Sequence, residues 1–298
     1  MARLIQCVPN FSEGINKDIV EEIVEEISKV DGVKLLDYSI DRDHNRSVVT
    51  FVGEPEAVVE AAFNCTRKAA ELIDMSVHKG GHPRMGATDV IPLVPISEVT
   101  MEECIELSKV LGRRIGDELG IPVYLYEESA SVQERKNLAN IRKGEYEGFF
   151  EKMKNKEWLP DFGPSTMNKK SGVTAVGARN FLVAFNVELD TNDMGIANAI
   201  SRKVRHINGG LRYVKAMGVF LEEKNRVQIS MNMVNYEKTS LYTVLELIKI
   251  EAKRYGVNVV GSEVVGLVPM QALLECAVYY LQLNGFDMDQ VLERRIYE

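Results

Sequence analysis

The stretch GEPEAVVEAAFNCTRKAAELIDMSVHKGGHPRMGATDVIPLVP, residues 53–95, runs from a helix through an irregular loop into a strand. Pro55 and an apolar stripe at helical spacing predict the helix, and the apolar run 89–95 predicts the strand. Between them, residues 76–89 contain two of the 4 histidines of the chain. Two glycines before His82 and a proline after it exclude a regular helix there. Packing does not require this composition, so the loop predicts a chemical role.

The elements on either side of this stretch repeat one order. Residues 4–126 predict βαββαβαβ, and residues 181–298 predict βαββαβ, which is the ferredoxin-like order. We therefore predict an α+β fold of two subdomains, each with a mixed or antiparallel sheet and helices layered on one face. The predicted boundaries are 1–178 and 179–298, with the long segment 161–172 as a linker loop.

Several helix starts are predicted from single residues. Asn16, Thr100 and Thr191 are expected N-caps, and the glutamate three residues after Thr100 completes a capping box. Pro269 predicts the start of the last helix. Residues 127–178 break the alternation. We expect residues 131–155 to be helical in part and residues 158–172 to be irregular.

The composition is that of a globular protein, with 45% hydrophobic and 27% charged residues. A formal net charge of -8 disfavours nucleic acid as a partner. No apolar run could span a bilayer, and the N-terminus leads into a strand without a secretory signal. The 4 cysteines stand far apart without a CxxC pair, which favours buried thiols over a disulfide scaffold or a zinc ribbon. We therefore expect a cytoplasmic protein without a membrane partner.

His82 is the first candidate for chemistry, because an imidazole both gives and takes a proton near neutral pH. His78 precedes it by four residues, the spacing of paired metal ligands on a helix. The intervening glycines disfavour that helix and no third ligand stands nearby, so no metal is predicted. We expect the His78 ring to bond the backbone of its own loop instead.

Polar residues at the ends of predicted strands extend the candidate site. Asn10 and Glu13 follow the first strand, where turn chemistry is an equally good explanation. Asp41 and Arg46 flank a charged hairpin, which is either a solvated turn or a wall of the site whose guanidinium holds carboxylates. Residues 163–172 could cradle a flat ligand or join two domains. The chain contains no phosphate loop, dinucleotide-binding fingerprint or nucleophile elbow.

Seven blocks stand in order along the chain: CVPNFSEG (7–14), SVHKGGHPRMGATDV (76–90), VYLY (123–126), IRKGEYEG (141–148), DFGP (161–164), VGARNFLVAFNV (176–187) and VVGSEVVGLVP (259–269). Together they resemble the glutamate formiminotransferase family, in the form that stands alone without a cyclodeaminase domain. Residues 39–44 depart from the animal enzymes, whose corresponding loop is acidic and glycine-rich.

The resemblance implies transfer of the formimino group of N-formimino-L-glutamate to N5 of tetrahydrofolate, a step of histidine degradation. It implies that His82 is the catalytic general acid and base, that tetrahydrofolate is the co-substrate, and that no metal is needed. It also implies a homodimer and a folate cleft between the subdomains. The substrate- and folate-binding residues that we predict are Asn10, Glu13, Asp41, Arg46, Arg84, Gly163, Pro164, Ser165, Gly172 and Arg179.

Two alternatives stay open at this point. The first is an enzyme of the same fold acting on 5-formyltetrahydrofolate, as a formyltransferase to glutamate or as a cyclo-ligase, since formyl and formimino differ at one atom. The missing phosphate loop disfavours the ligase. The second is a non-catalytic folate-binding protein, which the intact loop around His82 disfavours.

Overall fold

The computed structural model describes residues 2–42 and 44–297. It divides the chain into two compact units, 1–179 and 180–298, and each unit has its own hydrophobic core.

The strands and helices alternate through both units. The strands are β1 (Leu4–Cys7), β2 (Asn10–Phe11), β3 (Val33–Asp41), β4 (Arg46–Gly53), β5 (Thr88–Ser97), β6 (Val123–Leu125), β7 (Thr174–Ala178), β8 (Val183–Leu189), β9 (Val214–Leu221), β10 (Arg226–Met233) and β11 (Val259–Val265). The helices are α1 (Lys17–Ser28), α2 (Pro55–Leu72), α3 (Met101–Leu119), α4 (Leu138–Arg142), α5 (Glu145–Lys152), α6 (Met194–Val204), α7 (Leu241–Lys253), α8 (Met270–Leu281) and α9 (Leu292–Tyr297).

The first unit contains a mixed sheet in the order β3, β4, β1 with β2, β5, β7, β6. β1 and β2 occupy one strand position, and both pair antiparallel with β4 and β5. Pro9 separates them because it has no N–H for the ladder, although its carbonyl still accepts from Val49 N at 3.1 Å. The first four strand positions therefore keep the ferredoxin-like arrangement, and β7 and β6 extend it by parallel pairing.

The second unit contains an antiparallel sheet in the order β11, β8, β10, β9. Its chain order βαββαβ with the two central strands β8 and β10 is ferredoxin-like. Apolar side chains of α6 and α7 join the buried core of this sheet. The predicted α+β fold with two sheet-and-helix subdomains is thus confirmed.

The capping predictions hold at two of three helix starts. Asn16 Oδ1 accepts from Asp18 N at 3.1 Å, and Thr100 forms the complete capping box. The predicted cap Thr191 is wrong, because Asp193 accepts from Gly195 N at 2.7 Å and begins α6. A carboxylate two residues further on competes successfully for the free N–H groups. Pro269 does precede α8, but α9 follows it, so α8 is not the last helix.

No strand was predicted from the sequence between residues 127 and 178, and β7 was therefore missed. This strand is buried along its whole length and pairs in parallel with β5 and β6. A short strand of small residues that is covered on both faces shows no alternation, so its pattern resembled a loop. Segment 161–172 precedes β7 inside the first unit, so it does not join the two units.

No helix in the part of the chain that the structure describes is long and apolar enough to cross a membrane.

Candidate active site

One cleft in the first unit is lined by three segments that are distant in the sequence. The cleft is shallow and opens to solvent, and the space between its walls, open solvent included, is about 180 Å³. The segments are residues 11–12, the turn between β3 and β4, and the loop 73–87 between α2 and β5. The lining side chains are Phe11, Ser12, His44, Asn45, Arg46, His78, His82, Arg84 and Asp89. The cleft therefore unites the segments in which the sequence predicted chemistry.

Backbone contacts hold loop 73–87 against the first segment. Ser12 Oγ donates to Gly86 O at 2.8 Å, and Ser12 N donates to Ala87 O at 2.9 Å. Gly86 has no room for a side chain, since a Cβ there would lie 2.2 Å from Val173 O. The glycine thus lets the loop lie directly against the backbone that leads into β7.

The His82 ring contacts a carbonyl and a guanidinium. Nδ1 lies 2.6 Å from Pro83 O. Nε2 lies 2.7 Å from Arg46 Nη1, and the same Nη1 also contacts Nδ1. Because a guanidinium only donates, its contacts with both ring nitrogens favour the neutral imidazole.

Burial and positive charge keep His82 unprotonated. Burial is the largest cause that lowers the pKa of His82 to about 4, and the guanidiniums of Arg46 and Arg142 add to it. The Asp89 carboxylate acts in the opposite direction. At neutral pH the free ring is a base, and an anion that neutralised these guanidiniums would raise its pKa toward the ordinary value.

Arg46 is held by an amide and a carboxylate. Its Nε donates to Asn10 Oδ1 at 3.0 Å, and Nη2 contacts the same oxygen. Its Nη1 lies 3.5 Å from Asp89 Oδ2. Burial lowers the pKa of Arg46 to about 10, and Asp89 opposes that shift. The guanidinium therefore stays charged at neutral pH beside His82, where it can receive a carboxylate.

Two residues of this site were missed by the sequence analysis. Asp89 is 2% exposed, accepts from Met85 N at 3.0 Å, and contacts Arg142 Nη2. Arg142 comes from the end of α4. The block IRKGEYEG contained this arginine, but only the folded chain shows which carboxylate it meets. The buried carboxylate between two arginines organises the charges around His82.

The prediction for His78 is wrong about its partner. Its Nε2 donates to Asn45 O at 3.1 Å, so it bonds the turn between β3 and β4 instead of its own loop. Its Nδ1 lies 3.4 Å from Arg84 Nε, which donates to it. Burial lowers the pKa of His78. The reason is tertiary: loop 73–87 lies across the turn, so the nearest carbonyl belongs to another segment.

Metal-ligating side chains do not cluster in the described ranges 2–42 and 44–297. No group of three or more His, Cys, Asp or Glu residues there is placed to hold an ion.

Arg84 binds two glutamates of α5. Its guanidinium lies 2.9 Å from Glu145 Oε2 and 2.7 Å from Glu147 Oε1, and it donates to His78 O at 3.2 Å. These bonds tie the start of α5 to loop 73–87. They favour a role in holding the loop, and the predicted substrate contact of Arg84 stays a prediction.

The predicted acidic residues Asp41 and Glu13 flank the cleft. Asp41 accepts from His44 N at 3.0 Å and contacts His44 Nδ1 at 2.7 Å. Glu13 Oε1 accepts from the N–H groups of Ile15 and Asn16, each at 2.8 Å. Glu13 therefore has the turn-forming role that was weighed against binding, and it retains a second carboxylate oxygen.

Segment 161–172 meets loop 73–87 at its far end. Gly172 pairs with Gly86, and Ala87 N donates to Ser171 O at 2.8 Å. Gly163 instead packs on α3, where a Cβ would lie 2.9 Å from Gly116 Cα. Pro164 and Ser165 beside it are exposed. The structure thus brings the end of the segment, and not residues 163–165, against the loop that carries His82.

The start of the same segment is anchored by a buried ion pair. Asp161 Oδ2 accepts from Arg135 Nη1 and from Leu125 N, both at 2.8 Å. The DFGP block therefore includes a structural carboxylate at the edge of the sheet.

Arg179 lies at the opposite end of β7 from the cleft. Its N–H donates to Leu93 O at 3.0 Å, and its side chain bonds Tyr126. Leu93 lies four residues beyond Asp89 in β5, which is roughly 13 Å along a strand. The structure does not bring the Arg179 backbone to His82, and its ligand contact stays a prediction.

Two family profiles match the chain in sequence. "Formiminotransferase domain, N-terminal subdomain" matches residues 4–179, and "Formiminotransferase domain" matches residues 184–295. The two matches fall within the two structural units.

Curated relatives match over nearly the whole chain. "Glutamate formimidoyltransferase" of Streptococcus pyogenes serotype M1 is 53% identical over 99% of this chain and 99% of its own. The protein of the same name from Thermoplasma acidophilum is 52% identical over 98% of this chain and 97% of its own. "Formimidoyltransferase-cyclodeaminase" of Mus musculus is 47% identical over 94% of this chain, which spans 53% of that longer protein. The chain belongs to the formiminotransferase family.

Proposed function

We propose that this protein transfers the formimino group of N-formimino-L-glutamate to N5 of tetrahydrofolate, giving 5-formiminotetrahydrofolate and L-glutamate. The observation that carries the proposal is the 53% identity, over 99% of both chains, with a glutamate formimidoyltransferase. The neutral imidazole of His82 beside the Arg46 guanidinium supports it, because the reaction needs one proton carrier and a site for carboxylates.

The donor, N-formimino-L-glutamate, binds through its carboxylates. We assign Arg46 to one of them, because its guanidinium is charged and lies beside the reacting ring. Binding of this anion offsets the positive charge that holds the pKa of His82 down. The ring then becomes a stronger base when substrate is present, which suits a group that must hold a proton between two steps.

His82 carries the proton through both steps. Attack by N5 forms the N5–C bond, and the C=N electron pair moves onto the imino nitrogen. The His82 ring takes the proton that N5 loses. When the tetrahedral intermediate collapses, the electron pair on the former imino nitrogen re-forms the C=N bond. The C–N bond to glutamate breaks with its electron pair going to the glutamate nitrogen, and His82 returns the proton to that nitrogen. The protein otherwise acts by holding two substrates together.

The remaining ligand contacts are proposed with different support. Asn10 and Asp41 are bonded to Arg46 and His44 at the cleft, and Glu13 stands beside them. Gly163, Pro164, Ser165 and Gly172 are proposed for the folate on the family resemblance alone, as are Arg84 and Arg179 for carboxylates. A homodimer, a cytoplasmic location and a folate cleft between the subdomains remain predictions of that resemblance.

A product assay tests the proposal. The purified protein is incubated with tetrahydrofolate and either N-formimino-L-glutamate or N-formyl-L-glutamate, and separately with 5-formyltetrahydrofolate and glutamate. We expect free glutamate and 5-formiminotetrahydrofolate in equal amounts from the formimino donor, at a rate at least about 10²-fold above the formyl reactions, the discrimination that one polar atom can supply. Turnover with the formyl compounds alone would replace the formimino assignment.

A further inference from the structure

We propose that Asn45 is a positioning residue, which fixes the position of Arg46 relative to His82 by joining three loops through one amide side chain. The proposal rests on the proposed function, since the relative position of these two residues matters only if they act together. Asn45 lies in the turn between β3 and β4, directly before Arg46, and is 8% exposed.

The amide of Asn45 is bonded at both ends to other segments. Its Oδ1 accepts from Gly14 N at 2.8 Å, and its Nδ2 donates to Lys79 O at 2.8 Å. The Asn45 carbonyl accepts from His78 Nε2 at 3.1 Å. One residue therefore ties the segment after β2 and the loop that carries His82 to the turn that carries Arg46.

The backbone at this point also requires a special residue. Asn45 has φ 47, in the left-handed region that asparagine tolerates better than most residues. Gly80 lies so close that a Cβ there would be 2.4 Å from His44 O and 2.8 Å from Asn45 Cβ. Loop 73–87 can approach the turn only through this glycine, which explains one of the two glycines before His82.

Only an amide of this length meets all the demands. Aspartate would accept from Gly14 N but could not donate to Lys79 O, and serine is too short to reach both. Glycine would keep the left-handed backbone and lose both side-chain bonds. Asn45→Gly is therefore the substitution that removes the three-loop connection with the least backbone strain.

The second unit provides a matched control. Asn225 has the same φ of 47, in the turn between β9 and β10, and its N–H donates to Glu222 O at 3.2 Å. Asn45 N donates to Arg42 O at 3.3 Å in the same pattern. Asn225 is exposed and precedes Arg226. Asn225→Gly thus makes the same backbone change at a residue that is not among those lining the cleft.

The test compares both variants by activity and by titration of His82. We expect Asn45→Gly to lower kcat on the order of 10²-fold, the effect of a misplacement of about 1 Å, with KM changed far less. We expect NMR to show the pKa of His82 rising from about 4 toward the ordinary value, because the ring is released from its buried place beside Arg46. Asn225→Gly should match wild type in both measurements.

A second variant keeps the proposal testable if Asn45→Gly does not fold. Gly80→Ala pushes the same two loops apart and leaves the amide intact, so it should shift the His82 titration in the same direction. In a His82→Ala background, Asn45→Gly should cost no further activity, because its effect acts through the ring. An unchanged His82 titration in both variants overturns the positioning role. Failure of wild type to use the formimino donor overturns only the proposed function, since the titration is measured without substrate.

Discussion

The hairpins β3–β4 and β9–β10 occupy equivalent places in the two ferredoxin-like units, yet only the first forms a site. Each has an asparagine with φ 47 followed by an arginine that begins the next strand. Arg46 is buried against Asn10 and His82, whereas Arg226 is exposed. A turn of this kind is therefore a solvated surface unless another segment covers it, as loop 73–87 covers the turn between β3 and β4.

The covering element is the connection from the second helix to the last strand of the motif. In the first unit this connection is the loop 73–87, which carries His78 and His82 over the turn. In the second unit it is only residues 254–258, and Asn258 N donates directly to Asp190 Oδ1 at 2.6 Å. The long loop removes water from Arg46 and supplies the imidazole, so the site follows from the length and composition of one loop.

The largest expected loss of activity is that caused by removing the imidazole of His82. We expect His82→Ala to lose about 10²–10⁴-fold in kcat and to remain folded, since a general acid and base contributes that much. The exposed His206 of the second unit provides the control, and His206→Ala should leave kcat unchanged. A His82→Ala enzyme that kept a third of wild-type turnover would contradict the assigned role.

Removing the charge of the first hairpin should have the next largest effect. We expect Arg46→Gln to lower kcat/KM for the donor roughly 10- to 10²-fold, the cost of a lost charged hydrogen bond. It should also raise the pKa of His82, because one of the cations that lower it is gone. Arg226→Gln alters the equivalent residue of the other hairpin and should change neither quantity. Equal losses in the two variants would mean that the covered hairpin has no special role.

The half-buried His82 should also affect the pH dependence of stability. The pKa of His82 is lowered to about 4 in the folded protein, from an ordinary value near 6.5. The folded state therefore binds fewer protons than the unfolded state below pH 6.5. The resulting stability is complete above that pH and is lost as pH falls toward 4.

Denaturant melts from pH 7 to 4.5 measure this effect. Wild type should lose more free energy of unfolding over that range than His82→Gln, because the variant lacks the group whose protonation is suppressed. Burial also lowers the pKa of His78, and His78 is present in both proteins, so it does not enter the difference. Parallel pH curves for the two proteins would show that His82 titrates normally.

The smallest expected effect is that of a chelator. Proton transfer by His82 and charge pairing by Arg46 need no Lewis acid. Dialysis against a strong chelator should leave the rate within experimental error of the untreated enzyme. A loss of activity that one divalent ion restores would instead make His78 and His82 metal ligands.

Most of the element order could be predicted from the sequence. Apolar periodicity located most strands and helices of both units, because each of them buries one face against a local core, but it missed β7 and α9. Side-chain caps such as Asn16 and Thr100 act on N–H groups within three residues, so they were visible in the sequence. The loop around His82 stood out because its composition serves neither a helix nor a strand.

Which residues meet across the fold could not be predicted from the sequence. β7 is buried on both faces by its neighbours and shows no periodicity. Asp89 meets Arg142, and Asn45 meets His78, across long stretches of intervening chain. Such contacts depend on how loops fold over strands. The spacing of residues within one helix or strand does not predict them. The sequence therefore identifies the groups that can react, and the covering of one hairpin by one loop brings them together.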